Sequence, residues 1–262
     1  MGEPTVAFSF GENWQKYLDA MPAGAIRAMT NYFDDWLPAD IAGQRFVDIG
    51  SGSGLMSLVA HERGARVTSF DVDPRAVAAT TRLWDRAGSP DNWRVLSGSA
   101  TDRGFLRSLG NFDIVCAWGV LHHSGHLWDA LANAADLVAP NGLLWIALYT
   151  KTAHSRRSLR TKRLYNRTPK SIKPLFRGAY ATAKVAKHLI LYRSLDRLSR
   201  YHEERGMDWR RDVEDWLGGL PYEVSSPGEV HGFLRPRGFV LERLLSAIAE
   251  SGNNVYLFCR EN

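Results

Sequence analysis

The stretch VDIGSGSGLMSL, residues 47–58, constrains the fold of this chain more than any other feature. A short run containing Asp48 leads into three glycines at alternate positions, Gly50, Gly52 and Gly54, and a second apolar run follows. Glycine has no Cβ, so its backbone can approach a bound molecule closely. A glycine turn between a strand and a helix is typical of sites for nucleotide-like ligands, which contact the helix N-terminus.

Strand and helix signals alternate around this turn, as in a parallel sheet with helices on both faces. Predicted strands cover residues 45–49, 66–70, 93–96, 112–117 and 143–149, and predicted helical regions cover 14–36, 55–63, 74–86 and 129–138, the last ending at a Pro-Asn-Gly turn. Near the C-terminus, residues 239–248 and 255–260 resemble an antiparallel hairpin. We therefore predict an α/β, Rossmann-like, seven-stranded and mostly parallel sheet that ends in this hairpin.

Composition is consistent with one globular domain. The chain has 262 residues, 45% of them hydrophobic, enough for a sizeable core. Its two cysteines, Cys116 and Cys259, lie in separate strand-like runs and form no disulfide framework, which favours a reducing cytoplasm. The N-terminus has no signal-peptide pattern, and no apolar run approaches the roughly 18 residues of a membrane span. We expect a cytoplasmic protein.

The charge is unevenly distributed. Residues 151–200 contain fifteen Lys and Arg against one Asp, a net charge of +14 that leaves −9 for the rest of a chain whose total is +5. This basic segment could be a solvated face, a lid for an anionic acceptor, or an interfacial helix on a membrane. RNA binding is also compatible with the charge, but no recognised RNA-binding module accompanies it.

Two ligand classes compete for the glycine turn. A dinucleotide turn has the pattern G-x-G-x-x-G, whose third glycine would fall on Leu55 or Ser57. The carboxylate of Asp48 would repel a pyrophosphate, whereas it would attract a cationic amine and sulfonium. The stretch closely resembles the first motif of class I S-adenosylmethionine (SAM) methyltransferases, with an ordinary tight turn as the simpler alternative.

This resemblance implies a set of cofactor contacts. Asp71, at the end of the second strand, would accept the ribose hydroxyls, while Asp73 before Pro74 is better interpreted as a helix N-cap. After the third strand, Ser99 occupies the position where the family often has an acid, so Ser99 and the Ala100 backbone, or alternatively Asp102, would contact the adenine. The implied cofactor-binding residues are Asp48, Gly50, Ser51, Gly52, Gly54, Asp71, Ser99, Ala100, Trp118 and Gly119.

The stretch NFDIVCAWGVLHHSG, residues 111–125, resembles the family motif in which a strand ends beside the methionine part of SAM. His122 and His123 would then face the acceptor, and either could remove a proton from a hydroxyl or ammonium nucleophile. They could instead be structural loop residues, and an acceptor that is already deprotonated needs no base. Metal binding with His126 is a weaker alternative, and we expect no metal. The Asn/Asp-Pro-Pro-aromatic motif of amino-methylating DNA enzymes is absent, so nucleic acid is an unlikely partner.

A rival motif lies in the basic segment. Tyr180 and Lys184 match the Y-x-x-x-K pair of short-chain dehydrogenases, which would make the protein an NAD(P)-dependent oxidoreductase. The glycine pattern of that family, Gly-x-x-x-Gly-x-Gly, does not occur at residues 50–56, and five-residue patterns of this kind arise easily by chance.

The resemblance extends over nearly the whole chain. The segments FSFGENW, SFDVDP, WGVLHH, YHEERGMDW and DWLGGLPYE together resemble a group of bacterial small-molecule methyltransferases. It implies one methyltransferase domain over 1–262, an N-terminal helical cap over 1–40 and a basic helical insert or lid over 151–220. The candidate acceptor-pocket residues are Phe10, Trp14, Tyr17, Tyr149 and Trp209, although each could equally be core packing.

Three hypotheses follow. The first is SAM-dependent methyl transfer to an O, N or S atom of a small, possibly anionic or lipid-like acceptor. The second is the oxidoreductase, and the third is a non-catalytic binding protein with the same fold.

Overall fold

The computed structural model describes residues 10–19, 21, 24–192, 209–247 and 252–262. These residues contain a seven-stranded sheet in the order β3-β2-β1-β4-β5-β7-β6. Its strands are β1 Arg45–Ile49, β2 Arg66–Asp71, β3 Trp93–Ser97, β4 Phe112–Trp118, β5 Val138–Tyr149, β6 Phe239–Leu245 and β7 Asn253–Arg260. Strands β1 to β5 pair in parallel, while β7 is antiparallel to both β5 and β6. The predicted fold, including the C-terminal hairpin, is confirmed.

Helices cover both faces of this sheet. They are α1 Phe10–Asp19, α2 Ala25–Trp36, α3 Leu55–Glu62, α4 Pro74–Arg86, α5 Arg103–Leu109, α6 Leu127–Asp136, α7 Ser155–Arg167, α8 Lys173–Tyr192, α9 Trp209–Gly218 and α10 Pro227–Leu234. Successive side chains of a strand point to opposite faces, so Phe46 and Val47 of β1 enter two different cores, and both are fully buried. Burial on both faces explains why these strands are apolar almost without interruption.

Two predicted boundaries are wrong around β5. The predicted helix over 129–138 is α6, which ends at Asp136, and Val138 already pairs with Phe112 of β4. The Pro-Asn-Gly sequence lies inside β5 rather than before it, where the register against β4 shifts and Asn141 has a φ of +60°. Asparagine tolerates this left-handed conformation, so the turn signal marks an irregularity within the strand.

Other boundaries also differ from the prediction. The aromatic region 14–36 is two helices, and α5, with its N-cap Asp102, is an additional helix. The hairpin strands end three residues earlier in β6 and begin two residues earlier in β7 than the predicted runs.

The basic segment emerges from the carboxyl end of β5. There α7 packs against α9 through Tyr165, Val213 and Leu217, which form a small hydrophobic cluster separate from the two main cores. The cap over 1–40 and the insert over 151–220 stay predictions as units. Within the part of the chain that the structure describes, no helix is long and apolar enough to cross a membrane.

Candidate active site

The glycine turn lies between β1 and α3 at the carboxyl end of the sheet. The Gly50 N–H donates to the carbonyl of Phe70 at 2.8 Å. Gly50 has a φ of +70°, and a Cβ there would lie 2.3 Å from Val120. At Gly52, with a φ of +55°, a Cβ would lie 2.9 Å from the indole nitrogen of Trp14. Glycine is therefore required both by the backbone conformation and by the close approach of α1 and of the loop after β4.

The carboxylate of Asp71 lies beside this turn at the end of β2. It accepts the N–H of Gly52 at 3.1 Å and that of Asp73 at 2.9 Å. Burial raises its pKa. A carboxylate has about four acceptor positions, so capacity remains for the two hydroxyls of a ribose. Asp73 accepts the N–H of Arg75 at 2.9 Å, as expected of an N-cap.

Asp48 is buried at the end of a hydrogen-bonded chain. The Trp93 indole donates to the hydroxyl of Ser69 at 2.8 Å, Ser69 donates to Ser57 at 2.6 Å, and Ser57 donates to Asp48 at 2.6 Å. Burial raises the pKa of Asp48 to about 6, although the bond from Ser57 opposes the shift. A cation bound near the turn would stabilise the ionised form and compensate part of the desolvation cost.

The side chain of Ser51 is bonded within the protein, and its predicted cofactor contact stays a prediction. Its hydroxyl lies 2.9 Å from that of Thr80 on α4, and both groups are buried. This bond fixes the turn against α4. The side chain of Ser51 is therefore a positioning group.

The loop after β3 contains the residues predicted to contact an adenine. The Ser99 hydroxyl lies 2.9 Å from that of Thr101, and the carbonyl of Ala100 accepts the side-chain amide of Asn133 at 2.9 Å. Asp102 caps α5 with its carboxylate. These bonds fix the loop, and the cap favours Ser99 and Ala100 over Asp102 for the adenine contact.

Trp118 and Gly119 end β4 next to the turn. The indole N–H of Trp118 donates to the hydroxyl of Tyr32 on α2 at 3.1 Å, and 38% of Trp118 remains exposed. Burial raises the pKa of Tyr32 to about 12, so the phenol stays protonated. Sequence reasoning did not select Tyr32, because nothing in the 3.6-residue pattern of α2 distinguishes it from a core aromatic.

The predicted acceptor-pocket residues are only partly brought together. Trp14 covers the glycine turn, whereas Tyr17 is buried in a main core and meets Trp14 edge to face, with ring centroids 6.0 Å apart. Phe10 and Trp209 begin α1 and α9, and their side chains lie outside what the structure describes. Tyr149 lies with the two histidines, described next.

His122 and His123 form a short 3-10 helix after β4, with ring centroids 4.4 Å apart. The Tyr149 backbone N–H donates to Nδ1 of His122 at 3.3 Å, which assigns the proton of the neutral ring to Nε2. Nδ1 of His123 lies 2.7 Å from the carbonyl of Pro221, so this ring carries its proton on Nδ1 and its lone pair on Nε2. The two imidazoles therefore have opposite tautomers.

Both histidines are neutral at physiological pH. Burial lowers the pKa of His122 well below its usual range, and the positive charge of Lys162 adds to this effect. Burial likewise lowers the pKa of His123 to about 3; the Pro221 carbonyl opposes the shift and Lys162 adds to it. The ordinary imidazole pKa assumed from the sequence does not apply here.

Lys162 is a buried cation at this site that sequence reasoning missed. Its side chain is fully buried, and Nζ donates to the carbonyl of Trp216. The ammonium lies 4.6 Å from the ring centroid of Trp216, 4.9 Å from that of Tyr222 and 5.6 Å from that of Tyr149. Helical periodicity could have indicated it, because Lys162 shares the inner face of α7 with Tyr165.

The carboxylate of Glu223, in the segment that contacts the histidines, accepts a backbone N–H of α6. Glu223 accepts the N–H of Leu127 at 3.0 Å with one oxygen and at 3.2 Å with the other. Across the described residues, no group of three or more His, Cys, Asp or Glu side chains is arranged to hold a metal ion.

The rival dehydrogenase pair occupies a different environment. Tyr180 stacks on Trp216 with ring centroids 5.0 Å apart, in the cluster that joins α8 to α9. The side chain of Lys184 lies outside what the structure describes.

The strand order with an antiparallel seventh strand, together with the glycine turn and Asp71, defines the class I SAM-dependent methyltransferase fold. A family model described as a methyltransferase domain matches residues 21–207, and the chain belongs to that family. SAM is the cofactor of this class, and the oxidoreductase hypothesis is wrong.

Curated proteins with similar sequences include O-methyltransferases of ubiquinone biosynthesis. The chain is 31% identical over 122 residues to a ubiquinone biosynthesis O-methyltransferase of Methylocella silvestris, which covers 47% of this chain and 46% of the relative. A similar enzyme of Methylobacterium is 30% identical over 118 residues. The match spans about half the length of these relatives.

Solved structures share the fold. A magnesium protoporphyrin IX methyltransferase from Synechocystis, solved with S-adenosylhomocysteine (SAH), aligns with a TM-score of 0.55 and 14% identity over 99% of this chain and 90% of its own. An O-methyltransferase family protein from Burkholderia thailandensis aligns with a TM-score of 0.57 and 14% identity, over 98% of this chain and 64% of its own.

Proposed function

We propose that the protein transfers the methyl group of SAM to the oxygen of a small acceptor with an acidic hydroxyl, such as a phenol, an enol or a carboxylic acid. The observation that carries this proposal is the neutral histidine pair beside the buried cation Lys162. The curated relatives, named as O-methyltransferases of ubiquinone biosynthesis, support oxygen as the methylated atom.

The residues around the glycine turn fit SAM. Asp71 retains acceptor positions for the ribose, Asp48 offers a negative charge, and Gly50 and Gly52 allow the positive φ angles of the turn. When bound, SAM supplies a methyl carbon that its sulfonium has already activated, so alignment of the acceptor is the main task left to the protein.

The opposite tautomers give the histidines different roles. Nε2–H of His122 donates a hydrogen bond to the acceptor oxygen and holds it in place. For a phenol or an enol, the lone pair on Nε2 of His123 takes the hydroxyl proton as the oxygen attacks, and water later removes that proton. A carboxylic acid enters already ionised and needs no base. Cofactor-site residues stay as proposed from the sequence, with Trp118 and Gly119 bordering the methionine end.

The strength of the base selects the acceptor. An imidazole whose pKa lies near 3 is a weak base, and it cannot remove a proton from an aliphatic alcohol at a useful rate. A phenol, with a pKa of about 10, is far more acidic. The positive charge of Lys162 stabilises the anion that forms, and the same charge lowers the pKa values of the histidines.

The test is a panel of acceptors incubated with SAM, with SAH and the methylated product measured by mass spectrometry. Phenols, enols and carboxylic acids are expected to be methylated, and matched aliphatic alcohols are not. Turnover confined to amines or thiols would contradict the proposal. SAH bound without turnover of any acceptor would favour the non-catalytic hypothesis.

A further inference from the structure

The outer side of α7 is a face of arginines. With 100° between successive residues, its exposed basic positions fall within an arc of about 120°. They are Arg156, Arg157, Arg160, Arg163 and Arg167, all exposed. Lys162 and Tyr165, on the opposite side, are buried against the rest of the insert. We call this set of five residues the arginine face.

Large aliphatic side chains are exposed next to the arginine face. Leu164, within the same arc, is 60% exposed. Ile172, in the connection to α8, is 49% exposed, and Leu175, in the first turn of α8, is 74% exposed. Three such residues within twelve positions form an aliphatic corner, whereas single exposed leucines are common on any surface.

The chain around the arginine face contains no acidic residue close in sequence. Residues 151–192 contain no Asp or Glu. Among the ion pairs of the described residues, Lys151 pairs with Glu229 and Arg177 with Glu214. In the described part of the chain, Arg156, Arg157, Arg160 and Arg163 form no ion pair. Like charges three and four residues apart destabilise a helix, so an external polyanion would stabilise α7.

We propose that the arginine face and the aliphatic corner dock this protein onto an anionic lipid bilayer. The guanidinium groups bind lipid phosphates while Leu164, Ile172 and Leu175 enter the boundary between headgroups and acyl chains. Exposed aliphatic side chains distinguish this surface from an RNA site, where bases stack on aromatic or arginine planes. The inference is independent of the acceptor chemistry proposed above.

Docking would also bring the acceptor site close to the membrane. Lys162 contacts the site from the inner side of α7, and Leu164 lies on its outer side. One helix diameter, roughly 10 Å, therefore separates the bilayer surface from the inner side of α7, where Lys162 contacts the site.

The test is cosedimentation of the full chain with phosphatidylcholine vesicles, with and without phosphatidylglycerol. The variant Arg156→Gln/Arg160→Gln/Arg163→Gln removes three charges from the arginine face. Because each basic residue near an anionic surface contributes roughly fivefold in partitioning, the loss of three should lower binding by about a hundredfold. The control variant Arg27→Gln/Arg86→Gln/Arg107→Gln removes the same charge from exposed positions on α2, α4 and α5 and should bind like the parent.

A second variant, Leu164→Ser/Leu175→Ser, tests the insertion of the aliphatic side chains into the bilayer without changing the charge of the arginine face. It should bind at least tenfold more weakly while keeping the salt dependence of the parent. Circular dichroism and SAH affinity, which all variants should retain, show that each has folded.

Three results would overturn the proposal. The parent could show no preference for phosphatidylglycerol vesicles, or the control variant could lose as much binding as the arginine-face variant. Alternatively, the serine variant could bind vesicles as well as the parent does, and the parent could bind a single-stranded RNA more tightly than the vesicles. That result would identify a nucleic-acid surface.

Discussion

Charge at the scale of single residues determines what this site can do. Lys162 is a buried cation within reach of two imidazoles, and it favours their neutral forms. On the other side of the glycine turn, Asp48 is a buried acid whose pKa is raised to about 6. We infer that the acid serves the cationic cofactor, whereas the lysine serves the oxygen anion of the acceptor.

The role of His123 as the base can be separated from its structural role. His123→Asn retains an amide N–H for the Pro221 carbonyl but has no lone pair at the position of Nε2. We expect turnover to fall about a hundredfold while SAH affinity stays unchanged. His126→Gln, at an exposed neighbouring histidine, should retain full turnover in the same steady-state assay. Equal turnover in His123→Asn and the parent would leave alignment as the only contribution of His123.

The cofactor affinity should depend on the ionisation of Asp48. In the free protein its pKa is about 6, and a bound cation lowers it, so binding below pH 6 requires release of a proton. The dissociation constant of SAM, measured by calorimetry, should therefore rise by up to tenfold per unit as the pH falls below 6.

Asp48→Asn is the matched variant. Its SAM affinity should be lower at pH 7.5 and should lack this pH dependence. Because a raised pKa means stability that is lost as the pH rises through 6, the variant should also unfold at a higher temperature than the parent above pH 6. A parallel pH dependence in parent and variant would exclude Asp48 as its origin.

At this scale, only part of the site could be read from the sequence. Asp71 and the histidines follow recognisable strand ends, so their positions could be predicted. Helical periodicity could have indicated that Lys162 is buried, but not that it lies near the histidines or that Tyr222 packs against it, because both depend on the packing of α7 and the segment after α9. The pKa of His123 could not be predicted from the sequence either, because it depends on burial in the folded protein.

At the scale of elements, the connection from β1 to α3 depends on three glycines with positive φ. A Cβ at Gly50 would meet Val120, whose loop leads to the histidines, so the turn and the acceptor loop are in direct contact. The conformation of one loop thus constrains the other.

Gly50→Ala should disturb both loops. Strain from the positive φ and from the 2.3 Å approach to Val120 should destabilise the protein by about 1 to 3 kcal/mol and weaken SAH binding. Gly178→Ala is the control, since a Cβ in that part of α8 has nothing within 4 Å, and alanine favours helix. Urea unfolding and calorimetry measure both effects; an unchanged SAH affinity in Gly50→Ala would contradict the close contact.

Local signals predict some elements well and others poorly. Pro74 after Asp73 fixes the start of α4, because both residues favour the first helical turn. The sequence Pro-Asn-Gly predicts a turn before β5, but β4 pairs with Val138 before it and Leu143 after it, so the three residues form an irregularity within the strand. Helix α5 is not predicted from the sequence. Its N-cap residue, Asp102, is interpreted there as an alternative contact for the adenine instead.

At the scale of the whole molecule, the sheet brings distant segments to one edge. The proposed cofactor residues lie at the carboxyl ends of the strands, where Trp14 of α1 covers the glycine turn. Helix α7 and the segment after α9 pack around Tyr149 and the histidines. The acidic body contains the proposed cofactor residues. The basic insert supplies Lys162 to the proposed reaction from the inner side of α7 and, as we propose, attaches the protein to a membrane through its outer side. The sheet was predictable from alternation, but the placement of the insert depends on long-range contacts that no local pattern encodes.

Calorimetric titration of the protein with SAH, SAM and NADPH tests the central claim most directly, because it requires no knowledge of the acceptor. SAM and SAH are expected to bind in the micromolar range and NADPH not at all. Asp71→Ala should lose about 1 to 3 kcal/mol of binding free energy with its ribose hydrogen bonds. Tight binding of NADPH with no heat from SAM or SAH would contradict the account.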